Sequence, residues 1–275
     1  MREKNIFENK KIRNVVGEIA DTALILWQRG WAERNAGNIS VNITSLVSDQ
    51  EQAFFNKAGS KSIGNKKYLK PGIKGQVFLL TCAGTRMREI AKSPEEYLCL
   101  IKITGQGIIR YLVNHGTNQN RRLPTSELPT HLAIHRMLLS ERPEFKAIIH
   151  THALEMIALT QIKEYKSEKK LNRLLWGMHP ETMSFVPEGI GYIPYTLPGT
   201  REIATASVNG LKKHNVIVWE KHGILATGKS VTEAFDLIDI MAKSARIFFT
   251  CHNAGFEPEG LTPSQLKTIK QYYSL

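Results

Sequence analysis

Ile12, Val15, Val16, Ile19, Ala23, Leu26 and Trp27 recur at steps of three and four residues, the spacing that lays apolar side chains along one face of a helix. This predicts an amphipathic first helix ending near Gly30. Polar and apolar residues then alternate in Asn38-Ile39-Ser40-Val41-Asn42-Ile43, so a strand follows the tight turn Asn35-Ala36-Gly37. From Thr44 to about residue 75 the chain is polar, bears lysine and glycine, and lacks periodicity apart from Ala53-Phe54-Phe55. A long loop or insertion is expected there. Val77-Phe78-Leu79-Leu80-Thr81 reads as a buried strand running into Cys82-Ala83-Gly84-Thr85. Tyr97 to Thr104 and Gly107 to Val113 read as a hairpin turning at Gly105-Gln106.

A polar loop through Arg121 and Arg122 leads to a helix with Leu132, Ile134, Met137 and Leu138 on its apolar side. Thr125 or Ser126 is placed to cap its first N–H groups. The strand Ala147 to His150 precedes an apolar helix, Leu154 to Leu159, and a basic helix near Ser167 to Trp176. Strands are expected near Met183 to Val186 and Tyr192 to Tyr195, and a helix from Thr200 after Pro198-Gly199. Asn215 to Glu220 is a strand entering Lys221-His222-Gly223, and Thr232 to Cys251 is a long amphipathic helix. The hairpins imply antiparallel pairing within a layered α/β fold. Neither an internal repeat nor a low-complexity linker interrupts the chain, so residues 1–275 read as one domain.

Chemistry enters at His150-Thr151-His152. On a strand, side chains at i and i+2 leave the same face roughly 6.5–7 Å apart at the backbone, so two imidazoles can converge on one ion. His222-Gly223 offers a third imidazole about seventy residues on. Two near nitrogens and one remote nitrogen suit zinc with an open coordination position. A bare His-x-His also occurs as a satisfied core pair, so this spacing leaves both readings open.

The 275 residues carry 42% hydrophobic side chains and a formal net charge of +12. That is material for a full core. The basic excess is diffuse, concentrated in Asn56 to Lys74 and Lys163 to Arg173, and no aromatic residues alternate with the lysines to stack on bases. A nucleic-acid partner is therefore not expected, whereas a modest positive field attracts a small anionic substrate. No stretch approaches the ~20 apolar residues of a membrane span. The charged start, Met1-Arg2-Glu3-Lys4-Asn5, precedes no apolar signal core, so a cytoplasmic location without membrane partner is expected. Cys82, Cys99 and Cys251 are too few and too scattered for a disulfide framework and read as free thiols.

Five ordered motifs carry a family resemblance: Asn35-Ala36-Gly37-Asn38-Ile39-Ser40, Thr125-Ser126-Glu127-Leu128-Pro129-Thr130-His131, His150-Thr151-His152-Ala153, Pro198-Gly199-Thr200 and His222-Gly223. Their order and spacing resemble the class II, zinc-dependent aldolase family, and together they are far more specific than His-x-His alone. Trp31-Ala32-Glu33-Arg34-Asn35, Leu123-Pro124 before Thr125, Glu181, and Glu188-Gly189-Ile190-Gly191 before Pro194 are most similar to the rhamnulose-1-phosphate aldolases within it. Nearly the whole chain is covered.

The resemblance implies a central, mostly antiparallel sheet flanked by helices, a homotetramer with its site near a subunit interface, and one Zn2+ per subunit on His150, His152 and His222. It implies reversible cleavage of a sugar phosphate, in which the carbon–carbon bond β to a carbonyl breaks and the electron pair is held as an enediolate. Glu127 is the implied general acid/base, since carbon must be protonated in one direction and deprotonated in the other. Alone, a first-turn glutamate is equally explained by the helix dipole. Glu181 resembles a second site carboxylate. Donors for the phosphate are expected from Gly37-Asn38, Ala83-Gly84 and Thr125-Ser126, with Asn35 on a substrate oxygen. Family members often carry Ser or Thr where Ala83 stands, so one hydroxyl is missing, and the Ala83 N–H, Thr85 or Arg86 is left to compensate.

His131 and His135 read as helix packing or supporting hydrogen bonds rather than a second metal pair. His115, His179, His214 and His252 carry no visible chemistry. Three alternatives stay open on this family reading: a fuculose-phosphate aldolase, a methylthioribulose-phosphate dehydratase, and a non-catalytic binding module like the adducin head. An epimerase fits less well, since those relatives tend to have Asp where Glu127 stands.

Overall fold

The first apolar stripe folds as its spacing predicts. In the computed structural model, which describes residues 6–52, 60–64, 72–104, 108–112 and 123–274, α1 (Lys10–Gln28) buries Ile12, Val16, Ile19, Ala23 and Leu26. Asn9 caps it by accepting from the Lys11 N–H, and the chain reverses at Gly30, where φ is +71°.

Nine strands among the described residues form one sheet: β1 (Asn38–Asn42), β2 (Ser60–Gly64), β3 (Val77–Thr81), β4 (Leu98–Ile103), β5 (Ile108–Leu112), β6 (Ala147–Thr151), β7 (Ile190–Ile193), β8 (Val216–Trp219) and β9 (Gly223–Gly228). Their order is β2-β5-β4-β3-β1-β6-β9-β8-β7. Only β7 and β8 pair in parallel, so the expected antiparallel character holds. The remaining helices are α2 (Asp49–Gln52), α3 (Met87–Lys92), α4 (Pro94–Tyr97), α5 (Leu128–Glu141), α6 (Leu154–Gln161), α7 (Glu168–Met178), α8 (Pro180–Phe185), α9 (Arg201–Leu211), α10 (Val231–Asn253) and α11 (Pro263–Tyr272). None is long and apolar enough to cross a membrane.

Helices cover both faces of the sheet. On one face Ile39, Val41, Leu79, Ile149, Val218 and Ile224 pack against α1 and α10. On the other, Ile148, Ile217, Trp219 and Leu225 meet Ile134, Met137 and Leu138 of α5 and Ile203 and Leu211 of α9. This explains β1: its alternation separates an apolar face on α1 from a polar face on α5, and Asn38, Ser40 and Asn42 are buried as well.

Several expected elements shift. The strand expected at Met183–Val186 is helix α8, because Pro180 opens the first turn, where it lacks only an N–H that would go unused, and Thr182 and Met183 turn one face inward. β7 starts two residues before the expected strand, straight after Gly189 at φ +75°. The polar stretch after β1 contains α2 and the edge strand β2. An edge strand is held by backbone pairing with β5 and requires no apolar period. α5 begins after Glu127, with no side-chain cap from Thr125 or Ser126; Thr125 Oγ1 instead accepts from the Glu127 N–H at 3.3 Å. Periodicity gave no sign of β9, α3, α4 or α11. Ala53-Phe54-Phe55, the turn Gly105-Gln106, His115 and the loop through Arg121 and Arg122 lie outside the described residues. The cysteines are free thiols.

Candidate metal centre and active site

β6 delivers His150 on its last turn of pleat and His152 just beyond it, while the turn from β8 into β9 delivers His222 beside them. That turn needs Lys221 at φ +60°, held by its N–H on Thr160 Oγ1 at 2.9 Å. Gly223 allows the two segments to close, since a Cβ there would sit 2.5 Å from the Thr151 carbonyl oxygen and 2.8 Å from His150 Cε1. Gly37, at φ +78°, lets the loop before β1 pass the His150 carbonyl, which a Cβ would meet at 3.0 Å. One ring nitrogen from each of His150, His152 and His222 lies within 4.8 Å of the others.

Hydrogen bonds orient the rings. His150 Nδ1–H donates to the Ile224 carbonyl at 3.0 Å, which leaves its Nε2 as a lone pair, buried and without a hydrogen-bond partner. His152 Nδ1 lies 2.6 Å from Glu33 Oε1, so its Nε2 is also left as a lone pair. His222 Nδ1 is buried and without a hydrogen-bond partner, and the ring stacks on Trp219 at 5.1 Å. A buried imidazole with no partner is costly unless something occupies the lone pair. Three imidazole nitrogens converging on one point fit a divalent cation.

Burial pushes His150 down to about 3, with His152 beside it adding to the effect; it pushes His222 down to about 4, helped by His150, and His131 to about 4. In the unfolded chain these groups titrate near 6.5. Below that pH the unfolded chain binds protons that the folded chain refuses, so stability falls as pH drops from 6.5 toward 4 and the loss ends as the folded groups protonate. Thermal midpoints of the metal-free protein are expected to decline through that window. A midpoint flat between pH 6.5 and 4 would contradict the downward shifts of His150, His222 and His131.

Glu127 ends the loop before α5 and reaches the same point. Its Oε1 is 3.9 Å from His150 Nε2, and its Oε2 is buried with no hydrogen-bond partner. Residues 17–249 match the model of the Class II Aldolase and Adducin N-terminal domain. The chain belongs to the class II aldolase family. Over 273 residues it is 39% identical to a rhamnulose-1-phosphate aldolase of Bacteroides thetaiotaomicron, covering 99% of both chains. It is 33% identical to one from Listeria monocytogenes, over 94% of this chain and 93% of that one. The solved sugar-phosphate aldolase from Thermotoga maritima superposes with a TM-score of 0.76 at 32% identity, covering 91% of this chain and 100% of that one. Class II aldolases are metal-dependent lyases, and the histidine triad is where this one can hold a metal.

Around the triad of this class II aldolase, the expected phosphate donors divide. Ser126 and Gly84 are exposed, and no hydrogen bond within the described residues engages either. Asn35 is exposed on the loop between α1 and β1. The Ala83 N–H, expected to serve in place of a hydroxyl, is already given to the Leu123 carbonyl at 2.8 Å. The Thr85 hydroxyl is likewise given to the Cys82 carbonyl at 2.7 Å. Neither compensates. Arg86 pairs with Glu89 at 2.9 Å and lines a pocket of about 200 Å³ with Glu33, Arg34 and Arg88. Glu181 stands exposed at the start of α8, bonded to His179 at 2.7 Å, and no contact among the described residues joins it to the triad. Its carboxyl is held below the usual range chiefly by that His179 hydrogen bond. Glu33 was not marked for a role by the sequence: its importance comes from meeting a residue 119 positions away.

Proposed function

We propose that this class II aldolase catalyses the reversible, zinc-dependent cleavage of L-rhamnulose 1-phosphate to dihydroxyacetone phosphate and L-lactaldehyde. The observation that carries the reading is the convergence of three imidazoles with the Glu127 carboxylate, whose Oε2 has no hydrogen-bond partner, in a chain 39% identical to a rhamnulose-1-phosphate aldolase over 99% of both. His150, His152 and His222 would hold one Zn2+ per subunit. When bound, that ion supplies Lewis-acid stabilisation of negative charge developing on substrate oxygens. Three neutral ligands leave its charge undiminished and a coordination position open.

The protein's own groups supply the rest. Glu127 moves the proton at the substrate carbon, within reach of the triad. Glu33 and the Ile224 carbonyl hold the His152 and His150 rings in the tautomer that presents Nε2. Gly37, Asn38, Gly84, Thr125 and Ser126 hold the phosphate, and Asn35 bonds a substrate oxygen. Glu181, exposed at the start of α8, acts as a second site carboxylate, in a homotetramer with the site near a subunit interface. The single nine-stranded sheet supports reading the chain as one domain with an insertion after β1.

The deciding experiment assays rhamnulose 1-phosphate, fuculose 1-phosphate and methylthioribulose 1-phosphate on one metal-analysed sample. Turnover is expected on the first with about one zinc per chain, and preference for either other sugar would displace the assignment. Unphosphorylated rhamnulose is expected to be a poor substrate, because phosphate contacts supply binding energy that positions the reacting carbons. Equal kcat/KM for the two forms would be incompatible with a phosphate pocket at Gly37, Asn38, Gly84 and Ser126.

A further inference from the structure

Behind Glu127 runs a chain of four buried polar side chains, of which only Asn38 has a task in the reaction described above. Asn38 and Ser40 lie on the β1 face that meets α5, and His131 and His135 stand one turn apart on that helix; all four are buried. His131 Nε2 meets Asn38 Oδ1. His131 Nδ1 lies 2.6 Å from Ser40 Oγ, and Ser40 Oγ lies 2.8 Å from His135 Nε2. Burial holds both rings neutral, driving His131 to about 4 and His135 well below its ordinary value.

A neutral imidazole carries one N–H and a hydroxyl one proton, so the proton positions follow in sequence. Asn38 Oδ1 only accepts, hence His131 bears its proton on Nε2. His131 Nδ1 is then an acceptor, so Ser40 must donate to it. Ser40 Oγ has no second proton for His135 and accepts from His135 Nε2–H. The Asn38 oxygen is thereby taken, and its Nδ2 has no hydrogen-bond partner among the described residues. Turning the amide over would require the His131 ring to exchange tautomers and Ser40 to withdraw its donation. Asn38 is directly opposite His150 in the pairing of β1 with β6, so the two side chains share the face that carries the metal triad.

We propose that His131, fixed by Ser40 and His135, is a positioning residue that holds Asn38 with its Nδ2 donor, and not its oxygen, toward the substrate phosphate. This rests on the phosphate site assigned to Gly37-Asn38 under the proposed function. An outward oxygen would repel an anion; an outward amide N–H binds it. The network therefore decides the sign of one phosphate contact without touching the ligand.

The test combines two measurements on zinc-loaded protein. ¹⁵N-histidine NMR of the wild type should show His131 protonated at Nε2. Ser40→Ala removes one hydroxyl and frees the His131 tautomer. The KM for rhamnulose 1-phosphate and the dissociation constant for dihydroxyacetone phosphate should then rise roughly three- to tenfold, about what one hydrogen bond contributes. Meanwhile kcat, zinc content and the binding of unphosphorylated dihydroxyacetone should hold. A His131 protonated at Nδ1 would overturn the proposal, as would unchanged dihydroxyacetone phosphate affinity or equal weakening of the phosphorylated and unphosphorylated ligands. Should Ser40→Ala not fold, the wild-type spectrum still decides. A wild type that shows the Nε2–H tautomer and binds dihydroxyacetone phosphate, yet does not cleave rhamnulose 1-phosphate, would end the substrate assignment and leave the positioning role standing.

Discussion

Glu127→Gln should keep its metal and lose roughly 10²- to 10⁴-fold in the rate of proton exchange at carbon 3 of dihydroxyacetone phosphate, the usual range for a general acid/base. Gln matches Glu in size and still accepts a hydrogen bond, but it has no basic oxygen to take a proton. The carboxylate lies 3.9 Å from His150 Nε2 through Oε1, while Oε2 is buried and bonded to nothing. A buried carboxylate oxygen without a partner costs free energy in the resting protein, and proton transfer is a function that keeps such an atom unpaired. Solvent deuterium exchange into dihydroxyacetone phosphate alone, followed by NMR, isolates this step from aldehyde binding. Wild-type exchange in a zinc-replete variant would move the role elsewhere, with Glu181 the next residue to test.

Much of this geometry was legible in the sequence where one local rule acted alone. The α1 stripe, the basic helix near Ser167, the helix from Thr200 after Pro198-Gly199, and the strands around Val77 and Ala147 follow from apolar patterning and turn residues. His150 and His152 follow from a spacing that any strand enforces. Legibility ended where tertiary contact set the outcome. Met183 to Val186 looks like a strand by its apolar content, yet Pro180 and the packing of α8 fix a helix. The alternation in β1 resembles a strand with one wet face, but α5 covers that face and turns its polar residues into a hydrogen-bonded network. Ala83 kept an N–H that composition cannot show to be engaged by Leu123. The service of Glu33 to His152 had no local signal, because it spans 119 positions.

His152→Ala should release the metal and abolish turnover, because two imidazoles hold a borderline divalent ion poorly and His150 and His222 then face an incomplete site. The effect should exceed that of removing Glu33, which bonds only the far nitrogen of the same ring at 2.6 Å. Loss of such an outer partner typically costs roughly 10- to 100-fold in metal affinity or activity. Glu33→Gln should therefore bind zinc more weakly yet recover activity as zinc is raised, whereas His152→Ala should not recover at any accessible concentration. The difference between the two also separates lost coordination from lost folding: Glu33 is 65% exposed at its side chain, so its replacement disturbs no core packing. Metal analysis after gel filtration, paired with activity against added zinc, reads both outcomes. Full zinc occupancy and normal turnover in His152→Ala would remove His152 from the ligand set, and with it the reading of the triad as the metal centre.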